Sequence, residues 1–138
     1  LVKNPFNFGT ATISTAATLK ATPALSFSST TSSFQVDELI TQGSGATLAQ
    51  AFVVEVDAGT GYVHYLQNSK TGYGNFVTGS AVVGATSGAQ GTPKAAAGDF
   101  LINPEVDVHS GDVIFLENRN PIDRTASQIE DIKIIIEF

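Results

Sequence analysis

The sequence predicts an all-β protein, an antiparallel β-sandwich (or open barrel) with Gly-rich hairpins. Three observations carry that expectation. Only 14% of the 138 residues are charged, while Thr, Ser, Ala, Gly and Val abound, a composition that suits strands and turns better than solvated helices. Apolar residues alternate with polar ones at a period of two over short runs. Those runs are separated by turn residues, and the chain holds 13 glycines.

Along the chain, residues 1–33 are rich in Ser, Thr and Ala, and alternation in Ala11-Thr12-Ile13-Ser14 and in Ala24-Leu25-Ser26-Phe27-Ser28 fits half-buried strands or an extended arm. A single helical turn over Ser14–Lys20, capped by Ser14, is the second choice there. Two stretches, beginning at Phe34 and at Phe76, repeat one pattern about 42 residues apart: a Phe, a short turn, an aliphatic pair and a terminal Ser-Gly-Ala. Each is expected to begin a strand at a buried Phe and to turn at Gly43–Gly45 or Gly84–Gly88. Between them, residues 51–57 form a strand, Ala58–Gly61 a hairpin turn and residues 62–67 the returning strand. A second turn spans 68–74. Residues 90–98 are small, polar and interrupted by Pro93, and are expected to be a loop or linker.

Nine of the thirteen acids fall between Asp99 and Phe138. This third reads as Val106-Asp107-Val108-His109, a turn at Ser110-Gly111-Asp112, a strand over 113–117, a polar loop over 118–127 and a closing strand over 132–138. The near-continuous aliphatics of that last run fit a strand covered on both faces. The whole is expected to be one domain, with residues 1–33 as an N-terminal strand or arm region and 34–138 as the β-sandwich module. Opening at Leu1 without any methionine points to processing or to a piece of a longer polypeptide, and the latter is expected.

Composition also excludes function classes. Thirteen acids against seven bases give a formal charge of −6, which repels a phosphate backbone, so no nucleic-acid partner is expected. The absence of cysteine removes disulfides, thiolate nucleophiles and cysteine-ligated metal. No apolar run reaches the roughly eighteen residues of a membrane helix, so no membrane partner is expected.

Candidate chemistry is sparse, and neither an enzyme nor a cofactor is expected. Glu105, Asp107 and His109 alternate and would share one face of a strand, where a solvated face outweighs a hard-metal site. The stretch Asp57–Gly61 resembles a calcium loop only weakly. His109 and Ser110 are adjacent, but no nucleophile-elbow pattern surrounds the serine. His64 is expected at the surface or at a partner contact. Tyr62, Tyr65 and Tyr73 could form a sugar-stacking platform, but Tyr62 and Tyr65 fall on opposite faces of their strand and core packing is the stronger reading. The most distinctive stretch runs from Glu117 to Arg124. There Glu117, Asn118, Arg119, Pro121 and Arg124 make a stiff polar hook able to give bidentate contacts to carboxylates or carbonyls, or to close on itself through Glu117 and Asp123.

The stretches Val108-His-Ser-Gly-Asp-Val-Ile-Phe-Leu-Glu-Asn-Arg-Asn-Pro-Ile and Gln128-Ile-Glu-Asp-Ile-Lys-Ile-Ile-Ile-Glu-Phe138 resemble the C-terminal end of the T4-type bacteriophage baseplate wedge protein, the product of gene eight. The resemblance covers roughly a quarter of the chain. It implies a dimeric β-sandwich structural protein of the virion, seated in the tail baseplate and contacting other wedge components. The N-terminal region of that family has no counterpart here. The alternatives from other classes are a capsid decoration protein, and a carbohydrate-binding or host-attachment module that a glycan array would reveal.

Overall fold

The structure is a computed structural model that describes residues 2–95 and 100–116. Among the described residues ten strands follow one another: β1 (Val2–Lys3), β2 (Ala24–Leu25), β3 (Phe27–Thr30), β4 (Leu39–Gln42), β5 (Ala49–Val56), β6 (Val63–Leu66), β7 (Val82–Gly84), β8 (Gln90–Pro93), β9 (Leu101–Ile102) and β10 (Asp112–Val113). Among the described residues the helical content is one 3₁₀ turn, Gly45–Thr47, so Ser14–Lys20 is not a helix. Eight strands form one antiparallel sheet in the order β3-β8-β7-β4-β5-β6-β2-β9, strongly curled into a half-barrel. This is the open-barrel form of the expected all-β class.

The curl follows from one short piece of chain. Strands β2 and β3 are separated only by Ser26, yet they lie far apart in the sheet order. The run from Ala24 to Thr30 therefore pairs first with β6 and β9 and then with β8. Ser26 is buried at the crossing; its N–H donates to Phe100 O at 2.8 Å and its carbonyl accepts from Lys94 N–H at 3.1 Å. Residues 24–30 of the expected arm region thus lie inside the main sheet.

Alternation along β5 turns Ala49, Ala51 and Val53 inward, where they join Leu25, Ile40, Val63, Tyr65, Val82, Ala89 and the two repeat phenylalanines, Phe34 and Phe76. Burying each large apolar side chain contributes about 1.5–3 kcal/mol. Phe27 stacks on Phe34 with centroids 5.3 Å apart, and Tyr65 meets Phe76 edge-on at 5.3 Å.

Both repeats place a buried Phe, a turn, a strand and a glycine turn in that order. The strands begin at Leu39 and Val82 rather than at the phenylalanines, because a tight turn intervenes in each copy. In the first copy that turn holds Asp37 at φ 66°, a conformation that Asp tolerates better than most residues. Strands β4 and β7 are antiparallel neighbours, Ile40 opposite Gly84 and Thr41 opposite Val83, so the hairpins β4–β5 and β7–β8 lie side by side about a local two-fold.

The expectation of a loop over 90–98 is corrected for its first half. Residues Gln90–Pro93 are strand β8, paired with both β3 and β7. Pro93 is tolerated because it ends the strand, and Gly91 is required because a Cβ there would lie 2.6 Å from the Phe27 ring. The expected hairpin over 51–67 matches β5 and β6, closed by Gly61 N–H to Asp57 O at 2.7 Å. Further on, Val106 forms an isolated bridge to Asn7, and β10 is Asp112–Val113, so it takes in Asp112 of the expected turn and only Val113 of the strand expected over 113–117, with residues 114–116 outside the strand. The expected closing strand over 132–138 lies outside the described residues.

Candidate functional site

Strand alternation puts Glu38, Ile40 and Gln42 on one face of the first repeat, and that face is the inside. Glu38 is 3% exposed and has no cationic partner among the described residues. Its Oε1 accepts from Gln35 N–H at 2.6 Å and from the Ser87 hydroxyl at 2.8 Å, while Oε2 accepts from Thr86 N–H at 3.0 Å and Ser87 N–H at 2.9 Å. Burial pushes this carboxyl up, and the hydrogen bonds from Ser87, Gln35 and Thr86 outweigh that effect and hold it below the usual glutamate range. Gly84 makes the room: a Cβ there would lie 2.6 Å from Glu38 Oε2.

Gln42, 2% exposed, does the same for the other turn. Its Oε1 accepts from Val77 N–H at 2.7 Å, and its Nε2 donates to Val77 O at 2.8 Å and Ser80 O at 2.7 Å. Two buried polar side chains of the first copy therefore clamp the two turns of the second. Sequence reasoning passed over both. The signal was available in the period-two pattern, which puts them on the same side as Ile40.

A third cluster sits at the mouth of the β5–β6 hairpin. A bulge between Val53 and Glu55 leaves both Val54 and Glu55 exposed and aims Glu55 toward Lys20. The Lys20 ammonium lies 2.9 Å from Asp57 Oδ2 and 3.2 Å from Glu55 Oε1. Hydrogen bonds from Lys20 and from the Gly59 and Thr60 N–H groups hold the Asp57 carboxyl well below the carboxylate range, and Asp57, then Glu55, raise the Lys20 ammonium. Lys20 and Asp57 each favour the charged form of the other, which makes them a structural ion pair rather than an acid–base pair.

The residues singled out from sequence fare differently. Glu105, Asp107 and His109 do not share a strand face, because residues 107–110 turn: Asp107 Oδ1 accepts from His109 N–H at 2.9 Å, and Asp107 O accepts from the Ser110 hydroxyl at 2.7 Å. Among the described residues no group of three or more His, Asp or Glu side chains is arranged to hold a metal ion. His64 corrects the expectation of a surface residue. It is 5% exposed, with Nδ1 at 3.2 Å from Thr22 O: it faces away from the core residues Val63 and Tyr65 and is buried on the other side of β6, opposite Ala24 of β2. Tyr65 lies in the core while Tyr73 is 73% exposed, so the tyrosines make no common platform. A groove of about 260 Å³ beside the first glycine turn is lined by Ala46, Thr47, Leu48, Gly74, Asn75 and Val77, and no charged side chain faces it.

The hook residues Glu117, Asn118, Arg119, Pro121 and Arg124 lie outside the described residues. The chain approaching them is apolar and solvent-facing: Val113, Ile114 and Leu116 are all exposed, Leu116 to 81%. Exposed aliphatics in succession are the composition of a contact surface rather than of a reaction centre. Among the described residues no helix is long and apolar enough to cross a membrane.

Comparison with known proteins fits that description. No curated protein and no solved structure matches the chain. The family model described as "Bacteriophage T4, Gp8" matches residues 28–138, a span that begins within β3 and runs through the rest of the half-barrel to the C-terminal motif. The chain therefore belongs to the bacteriophage T4 Gp8 family, the baseplate wedge proteins of the phage tail.

Proposed function

We propose that this protein works by protein–protein contact within the wedge, holding its shape during assembly and taking part in the rearrangement that accompanies contraction. The observation that carries the reading is the family match, which spans most of the chain and includes residues Glu117–Arg124. In this reading Arg119 and Arg124 give bidentate contacts to a neighbouring wedge component, and Pro121 restricts the backbone between them. Glu117 and Asn118 set the start of the hook. The protein acts as a homodimer among other virion structural proteins, without catalysis, cofactor, nucleic acid or membrane. A clamped half-barrel supports such a role, since rigid elements hold contact residues more accurately than free loops.

The test is Arg119→Ala introduced into the phage. Assembled tails are expected to fall while the isolated chain keeps the melting temperature of the parent. Normal particle yield from that variant would remove the hook from the account.

A further inference from the structure

Beyond the sheet, residues 2–20 and 105–113 bind chiefly to one another. Strand β1 pairs with β10, and Phe6 bridges Ile13. The Phe8 N–H donates to Glu105 O at 2.9 Å, Asp107 N–H to Phe6 O at 2.9 Å, and Phe6 N–H to Ser110 Oγ at 2.8 Å. Lys20 closes this lobe, its carbonyl accepting from Glu105 N–H at 2.8 Å and its N–H donating to Glu105 Oε2 at 3.1 Å. None of these residues belongs to the hydrophobic cluster of the half-barrel or packs against it as a partly buried member, though Val106 is itself buried at the root of the lobe. Among the described residues two short runs of chain, 21–23 and 103–104, join the lobe to the sheet, the first held on β6 by Thr22 O at 3.2 Å from His64 Nδ1 and by Tyr65 N–H donating to Pro23 O at 3.0 Å. Among the described residues, the polar side-chain contacts that cross from lobe to sheet are those of the Lys20 ammonium with Glu55 and Asp57.

We propose that this lobe is a hinged unit whose angle to the half-barrel is set by Lys20 on Glu55 and Asp57, so that it swings as a body when that clasp opens. Among the described residues, two neighbouring chain crossings, with no lobe residue in the hydrophobic cluster of the half-barrel, make the geometry of a hinge. The clasp is partly solvent-exposed on both sides, so it is screened by salt and can open without unfolding either part. What moves with the lobe is a set of exposed apolar side chains, Val2, Phe8, Ile13, Leu19, Val108 and Val113. The inference stands on these contacts alone and does not depend on the hook.

The chain has no native cysteine, so spin labels can be placed at Ala11→Cys in the lobe and Thr78→Cys beside the sheet. Pulsed electron-spin distances are then measured at low and high salt, with and without Lys20→Met. The parent is expected to give a narrow distribution at low salt that broadens at high salt, and Lys20→Met a broad one that salt leaves alone. One narrow distribution in every sample would overturn the hinge. Amide exchange at Phe8, Asp107 and Val53 separates a swing from an unfolding: all three stay protected in Lys20→Met if the lobe moves as a body. Lost protection at Phe8 and Asp107 would make the ion pair a folding contact, and the proposal would fail.

Discussion

Replacing Glu38 with Gln tests the clamp between the two repeats at its most loaded atom pair. The amide keeps the shape of the side chain and puts an NH₂ where an oxygen now accepts. If the nitrogen takes the Oε2 position it faces the N–H groups of both Thr86 and Ser87; in the Oε1 position it faces Gln35 N–H, and the Ser87 hydroxyl must reverse. The better arrangement strands one N–H, at about 1–3 kcal/mol, and turns two charge-assisted bonds into neutral ones, at about 1 kcal/mol each. Relief of carboxylate desolvation offsets part of this, leaving a net loss of about 3 kcal/mol.

Urea unfolding of parent and Glu38→Gln chains at neutral pH measures that loss directly. The folded-state carboxyl is held below the ordinary glutamate range, so the unfolded chain takes up a proton there first as pH falls. The parent's advantage is therefore complete above the ordinary glutamate range and lost as pH falls through the lowered folded value. Glu38→Gln carries no titrating group at this position, so the two unfolding curves converge in acid. A loss under about 1 kcal/mol, or a gap that stays constant into acid, would refute the reasoning.

Gln42→Leu removes three hydrogen bonds from the turn over 77–80 and is expected to cost about 2 kcal/mol, with faster amide exchange at Val77 and unchanged exchange at Val53. Gly91→Ala drives a methyl group to within 2.6–2.9 Å of three Phe27 ring carbons; thermal unfolding should show a loss of about 1–3 kcal/mol, partly restored by adding Phe27→Leu.

Much of the half-barrel is legible in the sequence, and the reason is local. The hairpin over 51–67 announces itself because β-branched and aromatic residues flank a turn whose Asp57 and Gly61 make its closing bonds. Phe34 and Phe76 are recognisable as core because the repeat places each before a turn and a strand. What was hidden is set by distant chain. Strand β8 reads as a loop because Gly91 and Pro93 are poor strand formers, and only the Phe27 ring and the strand end make them suitable. His64 reads as a surface residue because it alternates with the core residues Val63 and Tyr65, and what buries its side of the strand is distant chain, Thr22 and Ala24. The crossing of β2 into β3 at Ser26 depends on partners more than 60 residues away. The Arg119 hook is the sharpest functional expectation, and it lies outside the described residues.

Cryo-electron microscopy of intact virions of the source phage tests the central claim most directly. The account predicts density for the half-barrel in the distal plate of the tail, in contact with other wedge components. Density on the capsid, or on no part of the particle, would contradict it.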